Sequence, residues 1–341
     1  MREKGRVMAA RFTLMIAAAS LALAAPALEA RNIVLVNDDG LTSNVVALYE
    51  ALEAQGHDVV VSVPCRNQSG QGAALGIARP IAPLETACLN GAAEAGAPGA
   101  GRMTRKGLPG EGADFHYVDG TPVAALLHGL EVVGMARWGK APDLVLSGPN
   151  EGQNVGAIIL SSGTVSAAQV AAVLGIPAIA LSAGGGTEAG SLDNPQSDEV
   201  ARRSVELVAH LEARAKGGPL LPAGLALNVN FPDTLEGARW QLSEIGSYNA
   251  YKVGFTANMA QSASPMMQAM AKSRGAKISA LPGVSFDINT AQPAAEQMDD
   301  ESVVYRKAIA VSPMQAGYAY PVGDPVLTRE ALAGLLPVQV E

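Results

Sequence analysis

Short apolar runs that end in polar residues or glycine recur along the first two thirds of the chain. Uninterrupted runs of this length are typical of strands that are buried on both faces of a parallel sheet. The runs lie at 33–36, 59–63, 143–147, 176–181 and 226–229. Between them, apolar residues at a helical spacing predict helices that begin near Thr42, Pro122 and Val165. This alternation predicts an α/β fold, with a mostly parallel sheet flanked by helices and right-handed crossovers.

Other stretches have a weaker pattern. Residues 90–112 are rich in glycine, alanine and proline and predict a flexible excursion, whereas residues 198–216 predict one amphipathic helix. Residues 240–300 show no clear period. Four methionines there suit either an adaptable interface or core packing, and the pattern leaves both open: Met259, Met266, Met267 and Met270. The tail at 328–336 predicts a helix that docks on a partner subunit or on its own core.

The chain opens with the pattern of a bacterial secretory signal peptide. Four basic residues precede a short apolar stretch: Arg2, Lys4, Arg6 and Arg11. Residues 25–27 offer a cleavage site, with Ala30 as a later alternative. The apolar stretch, residues 14–25, is too short to span a bilayer. We therefore expect residues 1–27 to be removed and the mature protein to be periplasmic or secreted, without attachment to a membrane.

The net charge argues against one class of partner. The chain carries a charge of −8, and residues 1–27 contribute four positive charges and one negative charge, which leaves the mature protein near −11. Such an acidic protein is a poor binder of nucleic acid polymers. Free nucleotides and other small anions still suit a site where a metal ion reverses the local sign. With 48% apolar residues, the chain can bury a large core as one domain or two.

Polar side chains follow the first predicted strand directly. Asn37, Asp38, Asp39 and Gly40 come after Val36, at the end of the strand where open α/β sheets bind ligands. Two adjacent carboxylates repel each other and resist burial, so a divalent cation is one way to offset their charge. A turn with solvated aspartates is the other interpretation, and this stretch alone leaves both open.

Further polar, glycine-containing loops follow later strands, at 65–72 and 148–156. Residues 161–164 precede the predicted helix at Val165, where hydroxyl and N–H groups form either a phosphate cradle or an ordinary N-cap. Three such loops at one edge of the sheet would bring carboxylate, hydroxyl and amide oxygens together. Those ligands suit magnesium, manganese or calcium rather than zinc. No G-x-G-x-x-G motif follows the first strand, which argues against a dinucleotide-binding domain.

Cys65 and Cys88 are the only cysteines of the chain. In an exported protein they can form one disulfide that closes a loop of about twenty residues. Spacing alone does not show that their Cα atoms approach closely enough for a bond. The sequence therefore leaves the bridge open.

Five motifs in register carry a family resemblance: 34–40, 66–70, 120–122, 147–156 and 162–165. Together they resemble the SurE family of survival-protein phosphatases, the 5'/3'-nucleotidases, over residues 32–182. Two later stretches fit more loosely: 227–232 and 310–314. The resemblance implies a Rossmann-like α/β core at 31–235 and a C-terminal extension at 236–341, which returns a strand to the core near 308–313. In the family this extension forms a hairpin and exchanges elements between subunits, which implies a homodimer or homotetramer.

The resemblance also implies the chemistry. The family hydrolyses nucleoside monophosphates or similar small phosphate monoesters with a metal-activated water. One divalent cation per subunit, magnesium or manganese and alternatively calcium, would be held by four residues: Asp38, Asp39, Ser69 and Asn150. One of the two aspartates would act as the general base. The substrate phosphate would be held by Asn154, Ser162, Gly163 and Thr164, while Asn37 would support the loop.

Three departures from the family pattern leave the substrate preference open. Cys65 stands where the family has aspartate, residues 123–125 replace a Thr/Ala-Asp-Cys motif, and residues 157–161 replace acidic residues and a tyrosine. These changes predict a more apolar pocket wall around intact metal ligands. The alternative is a non-catalytic or re-specialised dimeric binding module of the periplasm. A periplasmic solute-binding protein fits less well, because the motif residues crowd into one half of the chain rather than two lobes.

Overall fold

The structure is a computed structural model that describes residues 30–318, except residues 189, 274 and 275. The predicted signal peptide at 1–27 and the predicted tail helix at 328–336 lie outside the described residues. The strands are β1 (Asn32–Val36), β2 (Asp58–Pro64), β3 (Ala100–Arg102), β4 (Phe115–Val118), β5 (Leu144–Glu151), β6 (Ala178–Ala183), β7 (Leu225–Asn230), β8 (Trp240–Leu242), β9 (Tyr251–Thr256), β10 (Gly283–Ile288) and β11 (Ile309–Gln315). The helices are α1 (Ser43–Glu53), α2 (Pro122–Leu127), α3 (Met135–Trp138), α4 (Gly163–Val173), α5 (Pro195–Ala215), α6 (Pro265–Ser273) and α7 (Glu301–Val304). None of these helices is long and apolar enough to cross a membrane.

Nine of the described strands form one sheet in the order β3-β4-β2-β1-β5-β6-β7-β11-β8. From β4 to β7 every neighbouring pair is parallel. β3 and β11 pair antiparallel with β4 and β7, and β8 lies parallel to β11 at the edge. The predicted α/β fold with a mostly parallel sheet is therefore confirmed. The strand expected to return to the core near 308–313 is β11.

β1 is central because both of its faces are apolar. Ile33 and Leu35 pack into the core on one side of the sheet, where α1 and α5 lie. Val34 and Val36 pack into the core on the other side, against α2 and α4. All four side chains are fully buried, and burial of residues of this size contributes roughly 1.5–3 kcal/mol each. The turn that follows β1 is thus anchored to a strand that is packed on both faces.

The helices after three of the strands begin at side-chain caps. Thr42 Oγ1 accepts the N–H of Val45 at 3.4 Å, and Ser162 Oγ accepts the N–H of Val165 at 3.1 Å. α2 begins with Pro122, whose missing N–H costs no hydrogen bond at the first helical position. These starts agree with the sequence predictions to within two residues.

The predicted flexible excursion at 90–112 is wrong in part, because this stretch contributes β3 to the sheet. The guanidinium of Arg102 donates to Gly112 O at 3.0 Å and ties the stretch to the segment before β4. β4 itself was not predicted. Phe115–Val118 has only four residues, and the partly exposed His116 interrupts the apolar run that would have indicated a strand.

The chain after β7 forms a hairpin before it returns to the sheet. β9 and β10 pair antiparallel along their full lengths, with α6 between them in sequence. Met267 of α6 is buried, and its sulfur accepts the N–H of Phe286 at 3.4 Å. The sulfur of Met259 lies against Gly283 of β10. These two methionines therefore pack within their own hairpin, whereas the side chain of Met270 lies outside the described ones.

Cys65 and Cys88 form a disulfide, with Cα atoms 4.7 Å apart and a sequence separation of 23. Both residues are buried in the core that contains α1. The N–H of Leu89 also donates to Cys65 O at 2.8 Å. The bridge that the sequence left open is present, and it fastens the chain immediately before the polar loop at 66–70.

Candidate active site

The turn after β1 presents Asp38 and Asp39 at the carboxyl edge of the sheet. Asn37 shapes this turn, since its side-chain N–H donates to Gly40 O at 2.7 Å and its Oδ1 accepts the Gly40 N–H at 3.0 Å. Gly40 has a φ of 96°, and a Cβ there would lie 3.0 Å from Pro64 O. The position therefore favours glycine. Asn37 lies within the turn, where the family resemblance implies a supporting residue.

Asp38 is buried against the start of α4. Its Oδ1 accepts the hydroxyl of Thr164 at 2.8 Å, and its Oδ2 accepts the N–H of the same residue at 3.2 Å. A Cβ on Gly163 would lie 2.8 Å from Asp38 Cβ, so a glycine is needed for the carboxylate to come this close. Burial raises the pKa of Asp38, while the hydrogen bonds from Thr164 lower it. The net effect is a raised pKa.

Asp39 is also buried, and it contacts two loops. Its Oδ1 accepts the side-chain N–H of Asn67 at 2.7 Å, and its Oδ2 accepts the backbone N–H of Glu151 at 2.8 Å. Burial raises the pKa of Asp39 well above its ordinary value, and the negative charges of Asp38, Glu151 and Glu188 raise it further. The charged groups that shift its pKa are thus all negative, so Asp39 lies in a strongly negative environment.

Asn150 joins this group from the end of β5. The pairing of β5 with β6 shifts its register between Ser147 and Asn150, and such irregularities re-aim side chains. The side-chain N–H of Asn150 donates to Gly152 O at 2.7 Å, which leaves Oδ1 3.2 Å from the hydroxyl oxygen of Thr164. That hydroxyl has one proton and lies closer to Asp38 Oδ1. An amide oxygen therefore remains available beside the aspartates.

These groups fit a hard divalent cation. Two carboxylates and an amide oxygen are ligands that magnesium, manganese and calcium prefer. The buried aspartates lie in a negative environment, and a cation would offset that charge. The described residues contain no group of three or more His, Cys, Asp or Glu suited to a metal. The set here is of a different kind, with Asp38, Asp39 and the neutral Asn150.

Ser69 is joined to Asp39 through Asn67. It is exposed, and its backbone N–H donates to Asn67 Oδ1 at 3.0 Å. Asn67 in turn donates to Asp39. Within the described residues, no hydrogen bond joins Ser69 to either aspartate. Ser69 therefore lies at the rim of the site, and its role as a metal ligand stays a prediction.

Asn154 lies in a separate buried network. Its N–H donates to Asn230 Oδ1 at 2.8 Å, and its carbonyl oxygen accepts N–H groups from the side chains of Asn228 and Asn230. Its own side-chain N–H donates to Ser182 Oγ at 3.0 Å. These bonds fix the loop after β5 against β6 and β7. No hydrogen bond to either aspartate occurs among the described residues.

The start of α4 is directed at Asp38. The N–H groups of Gly163 and Thr164 and the Thr164 hydroxyl all bond this carboxylate. The sequence left open whether residues 161–164 form a phosphate cradle or an ordinary N-cap. Ser162 acts as the N-cap of the helix, so this stretch has at least the capping role. The implied role of these three residues in holding phosphate stays a prediction.

The profile of the family described as "Survival protein SurE" matches residues 33–252. The chain belongs to the SurE family. The resemblance inferred from the five motifs is thereby confirmed.

Two relatives and one solved structure are similar to the chain. It is 34% identical over 214 residues to an acid phosphatase from Yarrowia lipolytica, a match that covers 59% of this chain and 56% of that protein. It is 37% identical over 201 residues to a 5'-nucleotidase SurE from Aquifex aeolicus, covering 58% and 64%. The chain thus spans less than two thirds of the length of either relative. A crystal structure of the SurE protein from Aquifex aeolicus superposes with a TM-score of 0.58 at 27% identity, covering 84% of this chain and 94% of that one.

Two residues of SurE-family motifs contact the site without having been predicted. Asn67 and Glu151 both bond Asp39. Burial and the charge of Glu188 raise the pKa of the Glu151 side chain to about 7. Both residues lie inside the motifs at 66–70 and 147–156, but their residue types alone indicated no role.

Of the stretches that depart from the SurE pattern, residues 123 and 125 are buried and residues 156–160 lie in a partly exposed turn. Val123 and Ala125 are fully buried and do not line the cleft near the site. The prediction that they make the pocket wall more apolar is therefore wrong for these two, because α2 turns them inward. Residues 156–160 form a 3-10 turn, in which Leu160 is 73% exposed and the N–H of Ala157 donates to Asn249 Oδ1 at 2.7 Å.

A cleft of about 1060 Å³ lies beside the loop after β5, between the core and the extension. This volume is ample for a nucleotide-sized ligand. On the core side it is lined by Gly152, Gln153, Glu188 and Asp233. On the extension side it is lined by Tyr248, Tyr251, Tyr305 and Arg306. The cleft thus combines aromatic, cationic and acidic groups, and its lining includes Gly152, the residue that follows Glu151.

Proposed function

We propose that this SurE-family chain is a metal-dependent phosphomonoesterase, a nucleotidase or acid phosphatase that hydrolyses nucleoside monophosphates or similar small phosphate monoesters. The observation that carries the proposal is the buried pair Asp38 and Asp39 in a negative environment, with Asn150 Oδ1 beside it. The relatives named acid phosphatase and 5'-nucleotidase support the same reaction class. The adjoining cleft offers room for the leaving group.

In this proposal, Asp38, Asp39 and Asn150 hold a magnesium or manganese ion, with Ser69 at the rim. The cation would supply stabilisation of the phosphoryl charge and a more acidic water. Thr164 holds the Asp38 carboxylate in place through two hydrogen bonds. One of the two aspartates takes the proton of the attacking water. The loop that contains Asn154 is fixed by its bonds to β6 and β7, so this side of the binding site is already ordered before the substrate binds.

Hydrolysis assays test the reaction class directly. The purified mature protein is assayed with p-nitrophenyl phosphate and a panel of nucleoside monophosphates, with manganese and with a chelator. We expect turnover that requires the cation. Asp39→Asn and Asn150→Ala should each reduce turnover while circular dichroism shows a folded protein. Absence of metal-dependent turnover on every substrate would favour the binding-module alternative instead.

We further propose that the protein is exported and forms a homodimer or homotetramer. The Cys65–Cys88 disulfide supports export, because such bonds persist in oxidising compartments. The exposed apolar side chains of the hairpin support oligomerisation: Val253, Phe255, Val284 and Ile288. Mass spectrometry of the secreted protein, with a mature N-terminus near residue 28, would test the first proposal.

A further inference from the structure

Glu301 is a fully buried carboxylate with no role in the chemistry proposed above. It is the first residue of α7, in the C-terminal extension. Its Oε1 accepts the N–H of Gly156 at 2.9 Å, and its Oε2 accepts a side-chain N–H of Asn228 at 2.9 Å. The side chain of Ser312 also bonds it. Three donors from three parts of the chain therefore converge on one carboxylate.

Glu301 fixes the orientation of the Asn228 amide. Asn228 Nδ2 donates to Glu301 Oε2 and also to Asn154 O. Its Oδ1 is buried and has no hydrogen-bond partner in the described part of the chain. A reversed amide would place Oδ1 against two acceptor oxygens, which is unfavourable. Because the carboxylate accepts only, it selects the orientation in which Asn228 holds the carbonyl of Asn154.

The extension also contacts the same loop at Gly156 and Ala157. Gly156 has a φ of 60°, and a Cβ there would lie 2.8 Å from Ser302 Oγ and 2.9 Å from Asn249 Oδ1. The next N–H, that of Ala157, donates to Asn249 Oδ1. The backbone at 154–157 is thus enclosed by the extension on one side and by the asparagines of β7 on the other.

We propose that Glu301, in its carboxylate form, is a positioning residue that holds the loop at 154–157, which follows Asn150 and the end of β5, in its active conformation. The effect on activity rests on the proposed function. The effect on the loop backbone rests on the contacts of Glu301 alone. It assigns the C-terminal extension a direct part in ordering the site.

The surroundings of Glu301 make its charge sensitive to pH. Burial raises its pKa, the charge of Asp300 raises it further, and the hydrogen bonds from Ser312, Gly156 and Asn228 lower it, to give about 7. A protonated Glu301 would carry one donor and lose part of its acceptor capacity. Within the folded protein, the hydrogen bonds that Glu301 accepts from Gly156 and Asn228 should therefore be stronger above neutral pH than below it.

Glu301→Gln is the decisive substitution. Whichever way the new amide is turned, its N–H₂ faces either the Gly156 N–H or the Asn228 N–H, both of which are donors. We expect kcat/KM for a nucleoside monophosphate to fall roughly 10- to 100-fold, as for other supporting residues. The matched control is Glu296→Gln, which makes the same charge change at an exposed position of the extension.

Backbone exchange provides the readout that does not need activity. In Glu301→Gln, amide hydrogen exchange at 154–157 should accelerate, while exchange in β1 and in the control variant stays unchanged. If the control and Glu301→Gln have equal activity and equal exchange at 154–157, this inference is overturned and the proposed function stands. If the wild-type protein hydrolyses no phosphate ester, the proposed function fails, and the exchange result alone decides the role of Glu301.

A titration of the wild-type protein covers the case in which Glu301→Gln does not fold. The NMR signals of the Gly156 amide and the Asn228 side-chain N–H₂ should shift together, with one common midpoint near neutral pH. Signals that move independently of each other would overturn the inference. A common midpoint would support it.

Discussion

The charge of Asp38 can be removed while both of its hydrogen bonds with Thr164 are kept. In Asp38→Asn, the side-chain oxygen can keep the backbone N–H of Thr164, and the new N–H₂ can donate to the Thr164 hydroxyl oxygen. The hydroxyl proton can then turn to Asn150 Oδ1, which lies 3.2 Å away. The substitution also removes the free-energy cost of burying the charge of Asp38, which is the cost that raises its pKa.

We therefore predict that Asp38→Asn separates stability from activity. The free energy of unfolding of the metal-free protein, measured by denaturant titration, should rise, because a neutral amide is less costly to bury than a carboxylate. Metal-dependent turnover should fall at least roughly 100-fold, since a ligand of the cation is lost. Full activity in this variant would contradict the assignment of Asp38.

Asp39→Asn is the comparison that tests the hydrogen-bond argument. Asp39 accepts from two N–H donors, the side-chain amide of Asn67 and the backbone of Glu151. To accept from the new N–H₂, the Asn67 amide must turn round, and it then gives up the bond in which its Oδ1 accepts the Ser69 N–H. Amide hydrogen exchange at Ser69 should therefore accelerate in Asp39→Asn and stay unchanged in Asp38→Asn. Equal exchange in the two variants would contradict the contacts described for Asn67.

Glu301 gives a second prediction at the scale of one residue. Its pKa is about 7 in the folded protein and near 4.5 in the unfolded chain, so the folded state holds the proton more tightly. Its contribution to stability is present below pH 4.5 and is lost as the pH rises through 7. The difference in unfolding free energy between the wild type and Glu301→Gln should therefore change by up to about 3 kcal/mol across this window. Denaturant titrations at several pH values measure it, and a pH-independent difference would contradict the raised pKa.

The disulfide constrains one element, the segment that leaves β2. The backbone around it is held by other bonds, since Cys65 N–H donates to Val118 O at 2.7 Å and Cys65 O accepts the N–H of Leu89 at 2.8 Å. The native position of the following loop, which carries Asn67, therefore does not depend on the sulfur bond alone.

We predict that the double variant Cys65→Ala with Cys88→Ala loses about 3 kcal/mol of unfolding free energy, the chain-entropy value for a loop of this length. Turnover at 25 °C should stay within roughly twofold of the wild type, because the loop keeps its native-state bonds. Reduction of the wild type should reproduce the stability loss. A large fall in turnover without a fall in stability would show that the bond positions the loop instead.

The elements show why the sequence revealed the core more completely than the site. β1, β2, β5, β6 and β7 are buried on both faces, so each is an apolar run that can be recognised alone. The hydrogen bond between Thr164 and Asp38 joins residues 126 positions apart, and neither residue type indicates the other as its partner. Glu301 was missed for the same reason, because a glutamate in a polar stretch is normally solvated.

At the scale of the whole molecule, the hairpin of β9 and β10 carries an apolar face that the described residues leave partly uncovered. In β9 and β10, Tyr251 lies opposite Ile288, Val253 opposite Phe286 and Phe255 opposite Val284. These six side chains share one face of the hairpin, because alternate residues of a strand point the same way. Near the core, Tyr251 stacks on Phe286 with ring centroids 5.0 Å apart.

The outer part of the same face is exposed to solvent. Phe255 is 77% exposed, and Val253 and Val284 are 58% and 59% exposed. A two-stranded hairpin is marginally stable by itself, and a contiguous exposed apolar face is typical of a protein interface. A second copy of the chain is the partner that the family resemblance implies for this hairpin.

We predict that Phe255→Glu converts the oligomer to a monomer, because association would bury an unpaired charge in an apolar contact. Size-exclusion chromatography with light scattering gives the molar mass. The control is Lys252→Glu, which introduces the same side chain on the opposite, polar face of β9 and should keep the wild-type mass. A monomeric wild type, or an oligomeric Phe255→Glu variant, would contradict the assignment of this face. If the monomer also loses turnover, the cleft that the hairpin lines depends on the partner for its shape.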